Sequence, residues 1–146
     1  MDLGIKGKRA LVCASSKGLG RGCAEALAEA GVDLVLNARG AEALEATAAH
    51  IRDTYGVSVT AIAADITDEA ARADVIAGAG AIDILVTNAG GLNPMAAAKK
   101  VSEILSGQGL EKIRIAVVTG DEVLDKLEQW QANGDLLEHL DSKEPL

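Results

Sequence analysis

A glycine-rich stretch near the start of the chain has the residue types best suited to hold a phosphate. It runs Cys13-Ala14-Ser15-Ser16-Lys17-Gly18-Leu19-Gly20-Arg21-Gly22 and follows a short apolar run. A turn of this kind between a strand and a helix lets backbone N–H groups approach a phosphate, and the helix N-terminus adds partial positive charge. The simple G-x-G-x-x-G spacing fails, because Cys23 stands where the third glycine belongs. A tight turn without any ligand therefore stays open as the alternative.

The other reactive side chains lack the spacing of a metal or nucleophile site. His50 and His139 are far apart and have no Cys or carboxylate partner at ligand spacing, so each is expected to be solvated. Cys13 and Cys23 form no C-x-x-C pair, and two reduced, buried thiols are the simpler interpretation. We expect no metal site and no Ser-His-Asp or Cys-His centre.

Five strand-helix units in series are predicted to position the glycine-rich turn. Apolar runs predict strands at 9–14, 32–37, 57–63, 82–87 and 113–119, and helical spacing predicts a helix after each. The first helix is expected to bury Leu19, Cys23, Leu27 and Ala30, and the third to begin at a Thr67 cap. Asn93-Pro94 and a capping box over 119–122 begin the last two helices. The pattern of 136–140 does not decide between strand and helix.

Composition restricts the class of protein. The chain has 146 residues, of which 49% are apolar and 25% charged, as expected for one folded α/β domain. With no phenylalanine, one tyrosine and one tryptophan, the core must consist of Val, Ile, Leu and Ala. The net charge of −8 argues against nucleic-acid binding. We find neither a secretion signal nor a membrane span, so a cytoplasmic protein without a membrane partner is expected.

Residues 5–90 resemble the N-terminal half of the short-chain dehydrogenase/reductase family, in particular its 3-oxoacyl-carrier-protein reductases. The family's turn, T-G-x-x-x-G-x-G, is matched by residues 13–20, with Cys13 for the threonine and Ala14 for the first glycine. Asn37-Ala38-Arg39, Ala64-Asp65-Ile66 and Asn88-Ala89-Gly90 resemble three further family segments. The resemblance implies a Rossmann-like, three-layer α/β/α fold with a parallel sheet of about five strands in the order 3-2-1-4-5. Periodicity alone does not separate that order from a flavodoxin-like one.

The resemblance also implies a site for NADP(H). Lys17 and Arg39 would flank the 2′-phosphate of the adenosine ribose, and Asp65 would accept a hydrogen bond from the adenine amine. If Ala14 needs φ > 0, its Cβ would cost on the order of 1 kcal/mol, so any binding is expected to be weak or vestigial. The plain alternatives are solvated cations, a helix cap at Asp65 and a strand exit at 88–90. The implied cofactor-binding residues are Ser15, Ser16, Lys17, Gly18, Leu19, Gly20, Arg39, Asp65, Ile66, Asn88, Ala89 and Gly90.

The family's catalytic residues are a Tyr with a Lys four residues later, a Ser and an Asn, all beyond the fourth strand. In that arrangement the Lys lowers the pKa of the Tyr, which exchanges a proton with the carbonyl substrate. The one tyrosine here, Tyr55, lies at the end of the predicted second helix, and Val59 stands four residues later. We therefore expect no complete catalytic site and no enzyme activity.

The second part of the chain, roughly residues 84–146, resembles a segment of the acyclic terpene utilisation family. The resemblance rests on T-N-A-G-G-L-N-P at 87–94 and on the stretch 113–124. Both families' patterns contain Asn88-Ala89-Gly90, which is where two such pieces would join in register. We predict a chimera, engineered rather than natural, although a natural fusion would look the same. It would form a single domain over 1–146 with a reductase-like half, 1–88, and a second half, 89–146.

Three functional hypotheses follow. We favour a folded chimeric scaffold without a complete catalytic site and with weak residual NADP(H) binding. The second is an NADPH-dependent reductase that acts on a carbonyl substrate. The third is a self-association module, in which an exposed sheet edge pairs two copies, so monomer and homodimer both stay open.

Overall fold

The structure, a computed structural model, describes residues 2–120 and 124–134. They fall into two compact units, one ending at Asn88 and the other beginning at Ala89. The first contains β1 (Arg9–Val12), α1 (Gly18–Glu29), β2 (Asp33–Ala38), α2 (Ala41–Tyr55), β3 (Val59–Ala63), α3 (Glu69–Ala79) and β4 (Ile84–Val86). The second contains α4 (Pro94–Gly107) and α5 (Leu124–Ala132). The predictions for 136–140 and for the capping residues Asp121 and Glu122 lie outside the described residues.

The first unit is built on a parallel sheet with the strand order β3-β2-β1-β4. Leu11 of β1 pairs with Val35 of β2 on one side and with Leu85 of β4 on the other. Parallel strands need crossover connections, and the helices between these strands supply them. The Rossmann-like α/β fold and the order 3-2-1-4 are confirmed.

Helices cover both faces of this sheet. Successive strand residues point to opposite sides, so each face presents apolar side chains to the helices packed on it. Ala10, Val12, Leu34 and Leu36 form one core with buried residues of α1 and α2. On the helical side this core contains Ala24, Ala28, Leu44, Ala48 and Ile51. Leu11 and Val35 point the other way and pack with Val75 and Ala79 of α3. Among the residues whose burial the structure describes, the buried apolar ones are Val, Ile, Leu and Ala, as composition predicted.

The fifth strand is absent from the described residues. Residues 113–118 belong to no strand, and their apolar side chains Ile113, Ile115 and Val118 are exposed. Alternating apolar residues are compatible with a strand, but a strand forms only where a neighbour satisfies its backbone N–H and C=O groups. The described sheet therefore has four strands rather than about five.

The buried face of α1 differs from the predicted one. Ala24 and Ala28 are buried, whereas Leu19 and Cys23 are exposed. Small side chains at 24 and 28 let the helix lie close to the sheet, and Leu27 packs against the same core while partly buried. Apolar residues at helical spacing therefore predicted the buried side only in part, since Leu27 contacts the core whereas Leu19 and Cys23 are exposed.

The cap of α3 is also one residue later than predicted. Asp68 is the N-cap, and its side chain accepts from the N–H of Ala71 at 2.8 Å. The hydroxyl of Thr67 does not cap the helix, because it donates to Asp65 Oδ1 at 2.7 Å.

None of the described helices is both long enough and apolar enough to cross a membrane.

Candidate functional site

The carboxyl ends of the four parallel strands meet at one edge of the sheet, which we call the carboxyl edge. The loops that leave this edge contain residues 13–17 after β1, Arg39 after β2, 64–66 after β3 and 87–88 after β4. Ligands of open α/β sheets bind outside this edge. Ten of the implied cofactor residues lie in the first unit, from Ser15 through Asn88, whereas Ala89 and Gly90 begin the second unit.

The β1–α1 turn depends on backbone conformations that side chains resist. Ala14 adopts φ +52°, and among the described residues it is the one non-glycine with positive φ. Gly18 adopts φ +59°, and a Cβ added there would meet nothing within 4 Å. Gly20 is required for space instead, because its Cβ would collide with the carbonyl group of Ala14. The turn is thus tightly folded, and it is open to solvent at Gly18.

The first amides of α1 are free to bind an acceptor. The N-cap of this helix is Lys17, whose side chain makes no capping bond, and Leu19 is 90% exposed. Among the hydrogen bonds of the described residues, none takes the N–H of Gly18, Leu19 or Gly20 to a protein acceptor. Uncapped N–H groups at a helix N-terminus attract anions, because they carry partial positive charge. This turn therefore has the chemistry of a phosphate site.

Ser15 ties the turn to β2 and is not available to a ligand. It is fully buried, its N–H and its hydroxyl both donate to Asn37 O, and its hydroxyl oxygen accepts from Asn37 N–H at 3.1 Å. The side chain of Asn37 extends the link to the end of β3, donating to the carbonyls of Ile62 at 2.9 Å and Ala64 at 3.1 Å. Asn37 thus connects three of the four loops at the carboxyl edge.

Thr47 of α2 supports the same turn from another side. Its Oγ1 donates to Ser16 O at 2.9 Å, and its side chain is almost completely buried. Neither Asn37 nor Thr47 was predicted as a site residue. The available signal was a polar residue at an otherwise apolar position, at the end of the Leu34–Leu36 run and on the buried face of α2.

Lys17 and Arg39 are exposed at the carboxyl edge, and neither forms an ion pair among the described residues. Asp65 is exposed too, and its Oδ1 accepts from the N–H and the hydroxyl of Thr67. These two bonds lower the pKa of Asp65 below its ordinary value, and the positive charge of Arg39 lowers it further.

The remaining implied residues have mixed surroundings. Ile66 packs with the α3 side of the core, and Asn88 is exposed at the end of the first unit. Nearby, burial raises the pKa of the Cys13 thiol, while a hydrogen bond with Thr87 lowers it. In the second unit, Gly90 has φ +95° and a Cβ there would lie 2.6 Å from the Cβ of Ala97. Gly90 therefore permits close packing of the chain on α4.

The residues of the first unit fit a dinucleotide that carries phosphates. Uncapped amides and an open face at Gly18 suit a diphosphate, and the exposed cations Lys17 and Arg39 suit an additional phosphate. Among the described residues no cluster of His, Cys, Asp or Glu is arranged to hold a metal ion.

Comparison with known proteins relates the chain to a family of oxidoreductases. The model of the short chain dehydrogenase family matches residues 8–119. The gluconate 5-dehydrogenase of Gluconobacter oxydans is 38% identical over 90 residues, covering 59% of this chain and 35% of that protein. The 3-oxoacyl-(acyl-carrier-protein) reductase of Aquifex aeolicus is 34% identical over 94 residues, covering 62% of this chain and 38% of that protein. The L-sorbose reductase of Gluconobacter frateurii, whose structure holds NADPH and L-sorbose, has a TM-score of 0.60 at 37% identity, covering 62% of this chain and 36% of that one.

These matches overturn the expectation of a scaffold without enzyme activity. The matched proteins are dehydrogenases and reductases, which favours the alternative of a short-chain reductase. The expectation rested on the missing Tyr-x-x-x-Lys pair. However, the chain spans only about a third of the length of the relatives it matches, so that absence does not decide against catalysis.

Proposed function

Because this chain belongs to the short-chain dehydrogenase family, we propose that it is the dinucleotide-binding part of an NADPH-dependent reductase acting on a carbonyl substrate. The observation that carries the proposal is the carboxyl edge of the sheet. There, uncapped amides of α1 lie on the same edge as two exposed cations that have no ion-pair partner among the described residues. The bound NADPH seen in the sorbose reductase structure supports the choice of ligand.

Each residue of the first unit has a separate task in this proposal. The amides of Gly18, Leu19 and Gly20 bind the diphosphate, and Ser16 contributes backbone groups of the same turn. Lys17 and Arg39 bind the 2′-phosphate, a task that suits the fork of donors on Arg39.

The adenine and nicotinamide ends are assigned to the later loops. Asp65 and Ile66 lie beside the adenine, and Asn88 lies along the nicotinamide side, whereas Ala89 and Gly90 belong to the second unit and are given no task. Ser15 holds the turn without touching the ligand, because its hydroxyl is bound to Asn37. When bound, NADPH supplies the hydride, and we assign the proton-donating step to none of these residues.

A calorimetric titration with NADPH and NADH tests the proposal. The wild-type protein is expected to bind NADPH more tightly than NADH. In the double variant Lys17→Ala, Arg39→Ala, the preference for NADPH, expressed as the ratio of the two dissociation constants, should fall about tenfold. The reason is that charge-assisted bonds to the 2′-phosphate are removed. The matched control is Lys6→Ala, Lys112→Ala, which removes the same charge from two exposed side chains that lie outside the carboxyl-edge loops and form no ion pair among the described residues. Equal affinity for both dinucleotides, or no binding of either, would contradict the proposal.

Activity is tested separately by following NADPH oxidation with a panel of ketose and 3-oxoacyl substrates. Turnover that falls in the double variant, and not in the control variant, would support a reductase. A full-length relative assayed in parallel shows that the panel is adequate.

Three finer points stay predictions. The derivation of residues 84–146 from the acyclic terpene utilisation family, and hence a chimera, agrees with a unit boundary after Asn88. A natural gene with both segments in a longer reductase would refute an engineered origin.

Light scattering at high concentration decides between monomer and homodimer. Cell fractionation tests the cytoplasmic location.

A further inference from the structure

We propose that Thr47 of α2 is a positioning residue for the dinucleotide phosphates, acting through the peptide that joins Ser16 to Lys17. This inference rests on the proposed function and adds to it a residue outside the phosphate-binding turn. Thr47 is 31 positions from Ser16 in sequence, and its hydroxyl donates to Ser16 O at 2.9 Å.

The geometry of the peptide bond carries the effect to the ligand. In a trans peptide the C=O and the following N–H point in opposite directions within one rigid plane. All peptides of the described chain are trans. A hydrogen bond that holds Ser16 O toward α2 therefore orients the Lys17 N–H away from α2. Among the described residues that N–H has no protein acceptor.

Two anchors enclose this peptide. On the preceding side, Ser15 N–H donates to Asn37 O at 3.0 Å, and on the following side α1 begins at Gly18. With Thr47 in place, the Ala14–Ser15 and Ser16–Lys17 peptides are each held by a hydrogen bond to a buried residue. The amide of Lys17 then adds to the free amides of Gly18 and Leu19, and the Lys17 side chain starts from a fixed backbone.

Burial explains why the hydroxyl of Thr47 has this one task. The side chain is only 2% exposed, so a buried hydroxyl must find a partner inside the protein. A preorganised donor costs little ordering entropy when the ligand arrives, whereas a mobile turn must be ordered at that moment. The hydrogen bond therefore contributes to ligand affinity as well as to folding.

The test compares three variants of one helix by NADPH titration. Thr47→Val keeps the shape and removes the hydroxyl, and its dissociation constant for NADPH should rise about three- to tenfold. Thr47→Ser restores the hydroxyl and should bind as the wild type does. Thr54→Val is the matched control, because Thr54 is exposed on the same helix and should leave binding unchanged. Unfolding by denaturant is measured for each variant, since a purely structural role would change the free energy of unfolding and leave NADPH affinity as it was.

A second measurement needs no variant and covers the case in which Thr47→Val does not fold. In amide NMR spectra of the wild type, addition of NADPH should shift the Lys17 amide together with those of Gly18 and Leu19. An unmoved Lys17 amide in a protein that binds NADPH would overturn the inference, as would equal NADPH affinity in folded Thr47→Val. Absence of NADPH binding by the wild type would instead overturn the proposed function, and this inference with it.

Discussion

Individual side chains at the carboxyl edge divide into those that hold the turn and those that remain free for a ligand. Ser15, Asn37 and Thr47 are buried and form hydrogen bonds inside the protein. Lys17 and Arg39 are exposed and have no ion-pair partner among the described residues. Because buried polar groups are costly to leave unpaired, the first set is expected to tolerate substitution less well.

Ala14 is the residue whose replacement by glycine should stabilise the protein. At φ +52° its Cβ is crowded against the backbone, and glycine removes that strain. After the entropy that glycine adds to the unfolded chain, we expect Ala14→Gly to gain about 0.5 kcal/mol in denaturant unfolding. Ala43→Gly, on the exposed side of α2, should instead lose up to about 1 kcal/mol. A loss of stability in Ala14→Gly would contradict this explanation.

The ionisation of Asp65 should depend on Thr67. Hydrogen bonds from Thr67 lower the pKa of Asp65 in the folded state, so the charged carboxylate favours folding at pH values above its ordinary pKa of 3.8. That contribution is lost as the pH falls through the lowered folded value. Thr67→Val removes the hydroxyl and keeps the N–H, so the pKa should move part of the way back up. NMR titration of the Asp65 carboxyl carbon measures it, and Thr60→Val, on β3, should leave it unchanged.

At the scale of secondary structure, the beginning of α1 is the element on which the site depends. The helix starts close against the β1–α1 turn, and two glycines of its first turns have opposite requirements. Gly20 faces the backbone of Ala14, and a Cβ added at Gly20 would lie 2.8 Å from the carbonyl carbon of Ala14. A Cβ added at Gly22 would meet nothing within 4 Å. This difference gives a matched pair of substitutions on one helix.

Gly20→Ala should destabilise the protein, and Gly22→Ala should stabilise it. A methyl group at position 20 forces the turn and the helix apart, at a cost of about 1–3 kcal/mol. At position 22 the same methyl group removes backbone freedom from the unfolded chain and raises helix propensity, for a gain of up to about 1 kcal/mol. Denaturant unfolding measures both. Equal effects at the two positions would show that the close approach of α1 to Ala14 is wrong.

At the scale of the whole molecule, ligand binding and folding are linked. A ligand that binds only the folded state stabilises it, by about 2.7 kcal/mol at a concentration 100 times its dissociation constant. NADPH should therefore raise the thermal unfolding temperature of the wild type more than NADH does at equal concentration. In the Lys17→Ala, Arg39→Ala variant, NADPH should raise the unfolding temperature only as much as NADH does. Identical shifts for the two dinucleotides in the wild type would argue against a 2′-phosphate site.

Local patterns were sufficient to predict the elements of the first unit. Apolar runs and the glycines that end helices predicted four strands and three helices. Both patterns depend only on residues a few positions apart. Gly56, for example, ends α2 in the left-handed conformation that few other residues adopt. The glycine-rich turn was recognised for the same reason, whereas Lys17 and Arg39 were assigned to the 2′-phosphate only through the resemblance to the reductase family.

Tertiary structure alone decided which of these residues are partners. The bonds from Ser15 to Asn37 and from Thr47 to Ser16 join residues 22 and 31 positions apart, which no local pattern specifies. The same holds for the buried side of α1 and for residues 113–118, whose strand-like alternation has no strand partner among the described residues. A sequence determines what a segment is able to form, whereas its neighbours in space determine which backbone and side-chain groups are satisfied.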